Sequence, residues 1–554
     1  MKAGSTIFNT TIDLLRHTST VLIGSRQDLS QRHCLVRRTR QNTPSPSRFS
    51  IKTMLMLLAA SLLADPVPVY VIAGQSNAEG YGVPHAQLES IHEVTVVWPG
   101  RAQGEEAGPL QAGWGVNEKM IGPEYGFGQE MNRHHQSPVV VVKTAWGGKD
   151  VWCDFRSPSA GDFNWAERQM KAREEREGRS RQAGSFFNAM VNNIKAGLDQ
   201  AQVHLGRSDL ELKGLVWVQG WNDYCQWPVE EEGSPFGRGI IERYSHNLKH
   251  MLHDLRTALN ATALPIVIGE LGVHGTDVPK SRSGWALRAF RTAQAETASQ
   301  LDHCCFAPTA AFWDAHATDH WECHYNGSAE SYLRMGRTFA LHLLALDALP
   351  KGQALKWQAS QQGLQTMLRQ YPPESGGLAL WGSSIFRLWE RAPAQFSEYE
   401  VTNLAFGGAR SWETLHYANE TLFPVQPNTI FYYCGSNDVN AGENAADIAE
   451  RFRLFSELTR DRLPDTQIFF GAINRSPEKK DRWPVVNEAN QLVASYCETQ
   501  DGRTFVNLNQ VLEADDGSTR QDMFLPDRLH LTERAYEGFA EMMHEALGQE
   551  VQCP

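Results

Sequence analysis

The chain has no surplus of positive charge: 52 Lys and Arg stand against 64 Asp and Glu, for a formal net charge of -12. Phosphate contacts need a broad basic face, so this composition argues against a nucleic-acid partner. Cysteine is also sparse, with nine in 554 residues, an odd number and no CxxC pair. A disulfide framework and a zinc ribbon are thereby excluded. Buried thiols are expected instead, with a bridge among Cys153, Cys225 and Cys323 open only to an exported protein. Phosphate-, nucleotide- and metal-binding motifs are absent, so neither a metal nor an organic cofactor is implied. No run is long enough to span a bilayer. Met54 to Ala64, MLMLLAASLLA, is too short for that and has the length of a signal-peptide core, with Lys52 before it and Asp65-Pro66 after it. The Arg-, Ser- and Thr-rich residues before it lack apolar periodicity, and residues 1–64 are set apart from the fold as a disordered or targeting extension. Export to the periplasm or the extracellular space is the expectation.

Beyond that extension, short apolar runs alternate with helical patterns. Val69 to Gly74 is a buried-strand pattern that runs straight into Gln75-Ser76-Asn77. Further strands are read at Val139 to Val142, Leu212 to Gln219, Leu264 to Leu271 and Cys304 to Thr309, with Val83 to Gly128 read as loops. This β–α order predicts a central parallel sheet of about five strands between two layers of helices. The polar residues collect at the carboxyl ends of the strands, where open α/β sheets bind ligands. A serine there is either a turn former or a nucleophile. Gly147-Gly148 after the second strand allow close backbone approach, and Asn222 after the third can donate a hydrogen bond to developing negative charge. A charge-dense stretch, 166 to 181, reads as a solvated helical insertion.

Four blocks, GQSN, WGG, QGWND and HYNGSA, each at a strand end or before the last helix, resemble the sialate O-acetylesterase-like carbohydrate esterases of the SGNH hydrolase superfamily. The resemblance covers residues 65–349. It implies Ser76 as nucleophile, Gly148 and Asn222 as oxyanion donors with the Ser76 N–H, and His324 as base. Two positions depart from the pattern: Trp221 stands where many relatives carry glutamate, and Trp321 where an aspartate usually precedes the histidine. Asp319 or Glu322 then remains to orient His324, or the site runs on a Ser–His pair.

A break at 350–377, comprising a linker and a leading amphipathic helix over Ala354 to Tyr371, opens a second series of five strands in 378–554. Here GSSI, NLAFGG, GSND and DRLH fall in order at strand ends. Asp527 and His530, three apart on a turn, allow the carboxylate to hold Nδ1–H while Nε2 takes a serine proton. The blocks resemble the GDSL-type members of the same superfamily. The resemblance implies Ser384 as nucleophile, with Ser383 in place of the usual Asp, Gly408 and Asn437 as oxyanion donors, His530 as base and Asp527 as its acid.

Two SGNH domains in tandem are therefore expected, acting on O-acyl, chiefly O-acetyl, esters of carbohydrates. Alternatives are a lipase- or thioesterase-like second domain with its own substrate, and a first domain that only binds carbohydrate. Eleven of the 16 Trp residues precede the break, and aromatic faces stack on sugar rings as readily as they pack in cores.

Overall fold

Valine and isoleucine dominate the segments at the middle of the first sheet, where both faces are covered and apolar strands are stable. Its strands are β1 (Val67–Gly74), β2 (Ile91–Val97), β3 (Ala107–Leu110), β4 (Val139–Ala145), β5 (Leu210–Val218), β6 (Ile266–Gly269) and β7 (Cys304–Ala307). They run in the order β3-β2-β4-β1-β5-β6-β7, all parallel except for β2 and β3, which pair antiparallel at the edge. Every residue of β1 and β4 is buried.

The structure, a computed structural model, describes residues 65–161, 182–226, 235–278, 281–350 and 356–550. The apolar run 54–64 and the charge-dense run 166–181 fall outside the described residues. Five strands are expected from the sequence in the first sheet, and seven are present. The additional pair, β2 and β3, comes from the tract read as loops. Only the last four residues of β2 are buried, and β3 is a four-residue Ala-Gly-Pro-Leu strand. An edge tolerates both short length and proline, so its strands carry little of the pattern that marks a central one.

The second sheet has the five expected strands: β8 (Leu378–Gly382), β9 (Val401–Asn403), β10 (Thr429–Tyr433), β11 (Gln467–Gly471) and β12 (Arg503–Val506). They are all parallel, in the order β12-β11-β10-β8-β9. The leading helix spans Gln358–Gln370.

Residues from Pro66 onward form a single compact unit. One apolar cluster runs through both halves, taking in Phe339 and Leu343 of the helix Ala329–Asp347 and Phe455 and Leu458 of the helix Ala445–Arg462. A second cluster, with Trp389, Phe431 and Phe539, lies under the second sheet. Along the junction, Arg337 is ion-paired to Glu457 and Asp461 of the facing helix and, at 3.5 Å, to Glu130. Arg453 reaches back to Glu130 at 3.7 Å and holds Glu450 at 2.8 Å, while His134 Nδ1 meets Glu450 at 3.0 Å. Among the described residues no helix is long and apolar enough to cross a membrane.

Candidate active sites

Both serines follow strands that end in glycine, for the same steric reason. A Cβ on Gly74 (φ +150) would lie 2.0 Å from Val218 O, and one on Gly382 (φ +137) 1.9 Å from Tyr433 O. Any other side chain would collide with the neighbouring strand and be held in a strained backbone region. The sharp turn lets Ser76 open the short helix Ser76–Glu79 and Ser384 open Ser384–Arg387. Each serine sits at the carboxyl edge of a strand flanked on both sides: β1 by β4 and β5, β8 by β10 and β9.

In the second half the geometry is a connected relay. His530 Nε2 lies 3.0 Å from Ser384 Oγ, and its Nδ1 lies 2.6 Å from Asp527 Oδ2. The other Asp527 oxygen accepts the N–H groups of Leu529 at 3.0 Å and His530 at 2.9 Å. The His530 bond, with these backbone donors, holds the Asp527 carboxyl down to about 2, although the residue is exposed. It is therefore a carboxylate at any pH where the histidine is a base. The N–H groups of Ser384 and Gly408 have no protein acceptor among the described residues. Asn437 Nδ2 donates to Ala409 O at 2.9 Å, beside Gly408. Ser383, in the place of the usual Asp, is fully buried, and its hydroxyl has no hydrogen-bond partner among the described residues.

The first half brings the same residue types together but joins them differently. Ser76 and His324 are both buried, at 5% and 7% exposure, yet no hydrogen bond connects them among the described residues. Ser76 Oγ is met by Gln75 Nε2 at 3.5 Å, and the same amide donates to Asn222 Oδ1 at 3.2 Å. Gln75 Oε1 accepts the N–H groups of Gly220 at 3.1 Å and Asn222 at 3.3 Å. With Oδ1 so engaged, Asn222 Nδ2 has no acceptor among the described residues, and it lies 3.8 Å from where a Cβ on Gly148 would be. Asn77 ties the serine turn to the histidine loop, donating to Cys323 O at 3.1 Å and accepting from Tyr332 at 2.8 Å.

The partner of His324 is neither carboxylate considered from the sequence. Asp319 is held by His85 Nε2 at 2.9 Å, and the Glu322 carboxylate makes no hydrogen bond among the described residues. His324 Nδ1 instead meets His320 Nδ1 at 2.9 Å. Only one of the two nitrogens can carry the hydrogen. If His324 donates, its Nε2 is left with a lone pair, the tautomer a base requires. Tyr81 stacks on the His324 ring, centroids 3.8 Å apart and 12° from parallel. Burial first, then His320, lowers His324 to about 4. His320 and Tyr81 are not among the site residues that the sequence suggests; the one signal for His320 is its four-residue spacing from His324 in DHWECH, where Asp319 and Glu322 are the stronger candidates by residue type.

Asp223, next to Asn222, is fully buried and raised well above the carboxylate range, by burial and then by Asp150. Its Oδ2 accepts from Val151 N at 3.0 Å and Gln219 Nε2 at 2.5 Å, which pins the loop after β5 to the one after β4. Cys153, Cys225 and Cys323 are free thiols. Among the described residues no cluster of His, Cys, Asp and Glu has the arrangement of a metal site.

Comparison with known proteins follows the same division. Residues 66–345 match the family described as carbohydrate esterase, sialic acid-specific acetylesterase. Residues 376–537 match the GDSL-like lipase/acylhydrolase family. No curated protein matches the chain. Among solved structures, a protein from Arabidopsis thaliana is 16% identical, covering 50% of this chain and 98% of its own, with a TM-score of 0.34. A carbohydrate acetylesterase from Xanthomonas citri is 15% identical over 50% of this chain and 56% of its own, TM-score 0.32. A GDSL-like lipase from Bacteroides thetaiotaomicron is 16% identical over 35% of this chain and 98% of its own, TM-score 0.30. With a carbohydrate esterase match over half its length and an acylhydrolase match behind it, the chain belongs to the carbohydrate esterase, sialic acid-specific acetylesterase family and is a carboxylic ester hydrolase of tandem SGNH architecture.

Proposed function

We propose that this protein is a serine esterase that removes O-acyl groups, acetyl foremost, from carbohydrates through an acyl-enzyme, with Ser384 as the stronger nucleophile and Ser76 as a second, weaker one. The observation that carries the reading is the continuous relay Ser384–His530–Asp527, at 3.0 and 2.6 Å. His530 Nε2 takes the Ser384 proton as Oγ attacks the ester carbonyl. The tetrahedral oxyanion is held by the N–H groups of Ser384 and Gly408, with Asn437 alongside. The imidazolium, stabilised by Asp527, then protonates the departing sugar oxygen, and water repeats the cycle to release acetate.

At Ser76 the donors are the Ser76 and Gly148 N–H groups and Asn222 Nδ2, and the base is His324. Its imidazolium would face His320 rather than a carboxylate, so less of the developing positive charge is offset. Trp321, 72% exposed and 6.2 Å from the His324 ring centroid, offers a flat face at this mouth on which a sugar can stack. The weaker relay favours a division of labour in which the first half contributes carbohydrate recognition as well as slow turnover. The apolar run before Asp65 supports export as the setting.

The test is acetate release from acetylated monosaccharides by Ser76→Ala, Ser384→Ala and the double variant. The expected result is a loss of most turnover with Ser384→Ala, a smaller loss with Ser76→Ala, and none remaining in the double variant. Undiminished turnover in the double variant overturns the reading.

A further inference from the structure

The connector between the two halves reaches the second site. Gly408 lies on the loop after β9, and a Cβ added to it would sit 3.3 Å from Trp357 Cζ2 and 3.9 Å from Lys356 Nζ. These two residues immediately precede the helix Gln358–Gln370 and belong to neither sheet. On the adjacent residue, a Cβ at Gly407 would sit 2.9 Å from Arg387 Nε, at the end of the helix that Ser384 opens. Two cationic side chains, from opposite ends of this part of the sequence, thus flank the two glycines beside which the ester carbonyl would bind.

Neither side chain is held in a close ion pair among the described residues, although the buried Glu413 carboxyl feels the Lys356 charge. Lys356 and Arg387 are exposed, and neither has a carboxylate oxygen within 4.0 Å among the described residues. Lys356 lies against the Trp357 ring, 4.8 Å from its centroid. The acid that faces it, Glu413, accepts the Arg410 N–H at 2.9 Å and is itself buried. The neighbouring Arg410 is differently placed, since it pairs with Glu443 at 3.4 Å.

We propose that Lys356 and Arg387 make the Ser384 site selective for esters that carry an anionic group, a carboxylate in the first instance, on either the acyl or the alcohol part. Trp357 forms the apolar wall between that charge and the oxyanion loop. The inference rests on Ser384 being the nucleophile. A carboxylate held between an ammonium and a guanidinium at a partly solvated rim gains modest Coulomb energy from each, enough to set preference without setting the chemistry.

The experiment uses the full chain carrying Ser76→Ala, so that turnover reports the second site. Rates are compared for phenyl acetate (neutral), 4-acetoxybenzoate (anion on the alcohol) and phenyl hemisuccinate (anion on the acyl part), before and after Lys356→Ala with Arg387→Ala. The proposal expects kcat/KM for at least one anionic ester, relative to the neutral one, to fall about fivefold to tenfold in the double replacement. It also expects that preference to shrink in the unreplaced protein as salt rises to about 0.5 M, where the screening length is a few ångströms. Which anionic ester responds tells which half of the substrate meets the cations. Hydrolysis of all three esters with an unchanged ratio overturns the charge selection and leaves Ser384 as the nucleophile. Hydrolysis of none overturns the assignment of Ser384, and this inference with it.

Discussion

Two contacts separate the candidate sites: the serine–histidine hydrogen bond, made between Ser384 and His530 but not between Ser76 and His324 among the described residues, and the partner at Nδ1 of the histidine. His530 has the Asp527 carboxylate and His324 has the ring nitrogen of His320. A carboxylate raises the affinity of an imidazole for a proton, whereas a neutral, partly buried ring does not. His324, lowered to about 4 by burial and by His320, stays neutral above that pH. In a Ser384→Ala protein, where only the first site works, kcat/KM should hold down to about pH 4 and fall below it. Replacing His320 with Ala should cost about tenfold in that background, and His320→Asp should move the acid limb of the pH–rate profile upward. An acid limb that ignores both replacements would show that His320 does not act on His324. This is also where the sequence was least legible. Ser76, Asn222, His324, Ser384, Asp527 and His530 each stand where a strand or turn pattern placed them. The partner of His324 depended on the rotation of a loop in which Tyr325 and Asn326 adopt positive φ (51° and 52°), and no spacing rule anticipates that.

At the scale of strands and helices, the carboxyl edge of each sheet is built by a steric device. Gly382 has no room for a Cβ beside Tyr433 O, so Gly382→Ala should destabilise the protein by about 4 kcal/mol, the size of effect that comes with a forced backbone shift. Gly363, inside the helix Gln358–Gln370 with nothing within 4 Å of its Cβ position, is the control: Gly363→Ala should stabilise by up to about 1 kcal/mol. Thermal unfolding of both variants is the measurement, and equal Tm values would contradict the steric account. Central strands such as Val139–Ala145 were readable because they open on a run, Val139 to Val142, that is apolar on both faces. The β2–β3 edge was not, because one-sided burial and a Pro-containing strand leave no run to find.

Across the whole molecule the two halves share an apolar cluster and a charged seam. Arg337 is central to that seam, paired with Glu130, Glu457 and Asp461, all buried. Its removal leaves three carboxylates in low dielectric with fewer counter-charges, so Arg337→Ala should cost about 3–5 kcal/mol. Differential scanning calorimetry should then resolve two transitions in place of one. Acid works at the same place. His134 and Arg453 overcome the burial of Glu450 and hold it at about 2, below its ordinary 4.5. The stability this contributes is complete above about pH 4.5 and is lost as pH falls toward 2. Tandem architecture was legible from the repeated order of motifs. The seam was not, since its members are spread over Glu130, Arg337 and Glu457 and look like ordinary helix-surface charges in sequence.

The placement of Lys356 and Trp357 bears on how the second half could be excised. The acylhydrolase match begins at residue 376 and encloses Ser384, Asp527 and His530, so a fragment trimmed to it would retain every group of the relay. It would also lose the wall beside Gly408, because that wall is donated by chain upstream of the boundary. A clone cut at 376 would report the chemistry of the site stripped of part of its selectivity, and the useful cut lies before Lys356.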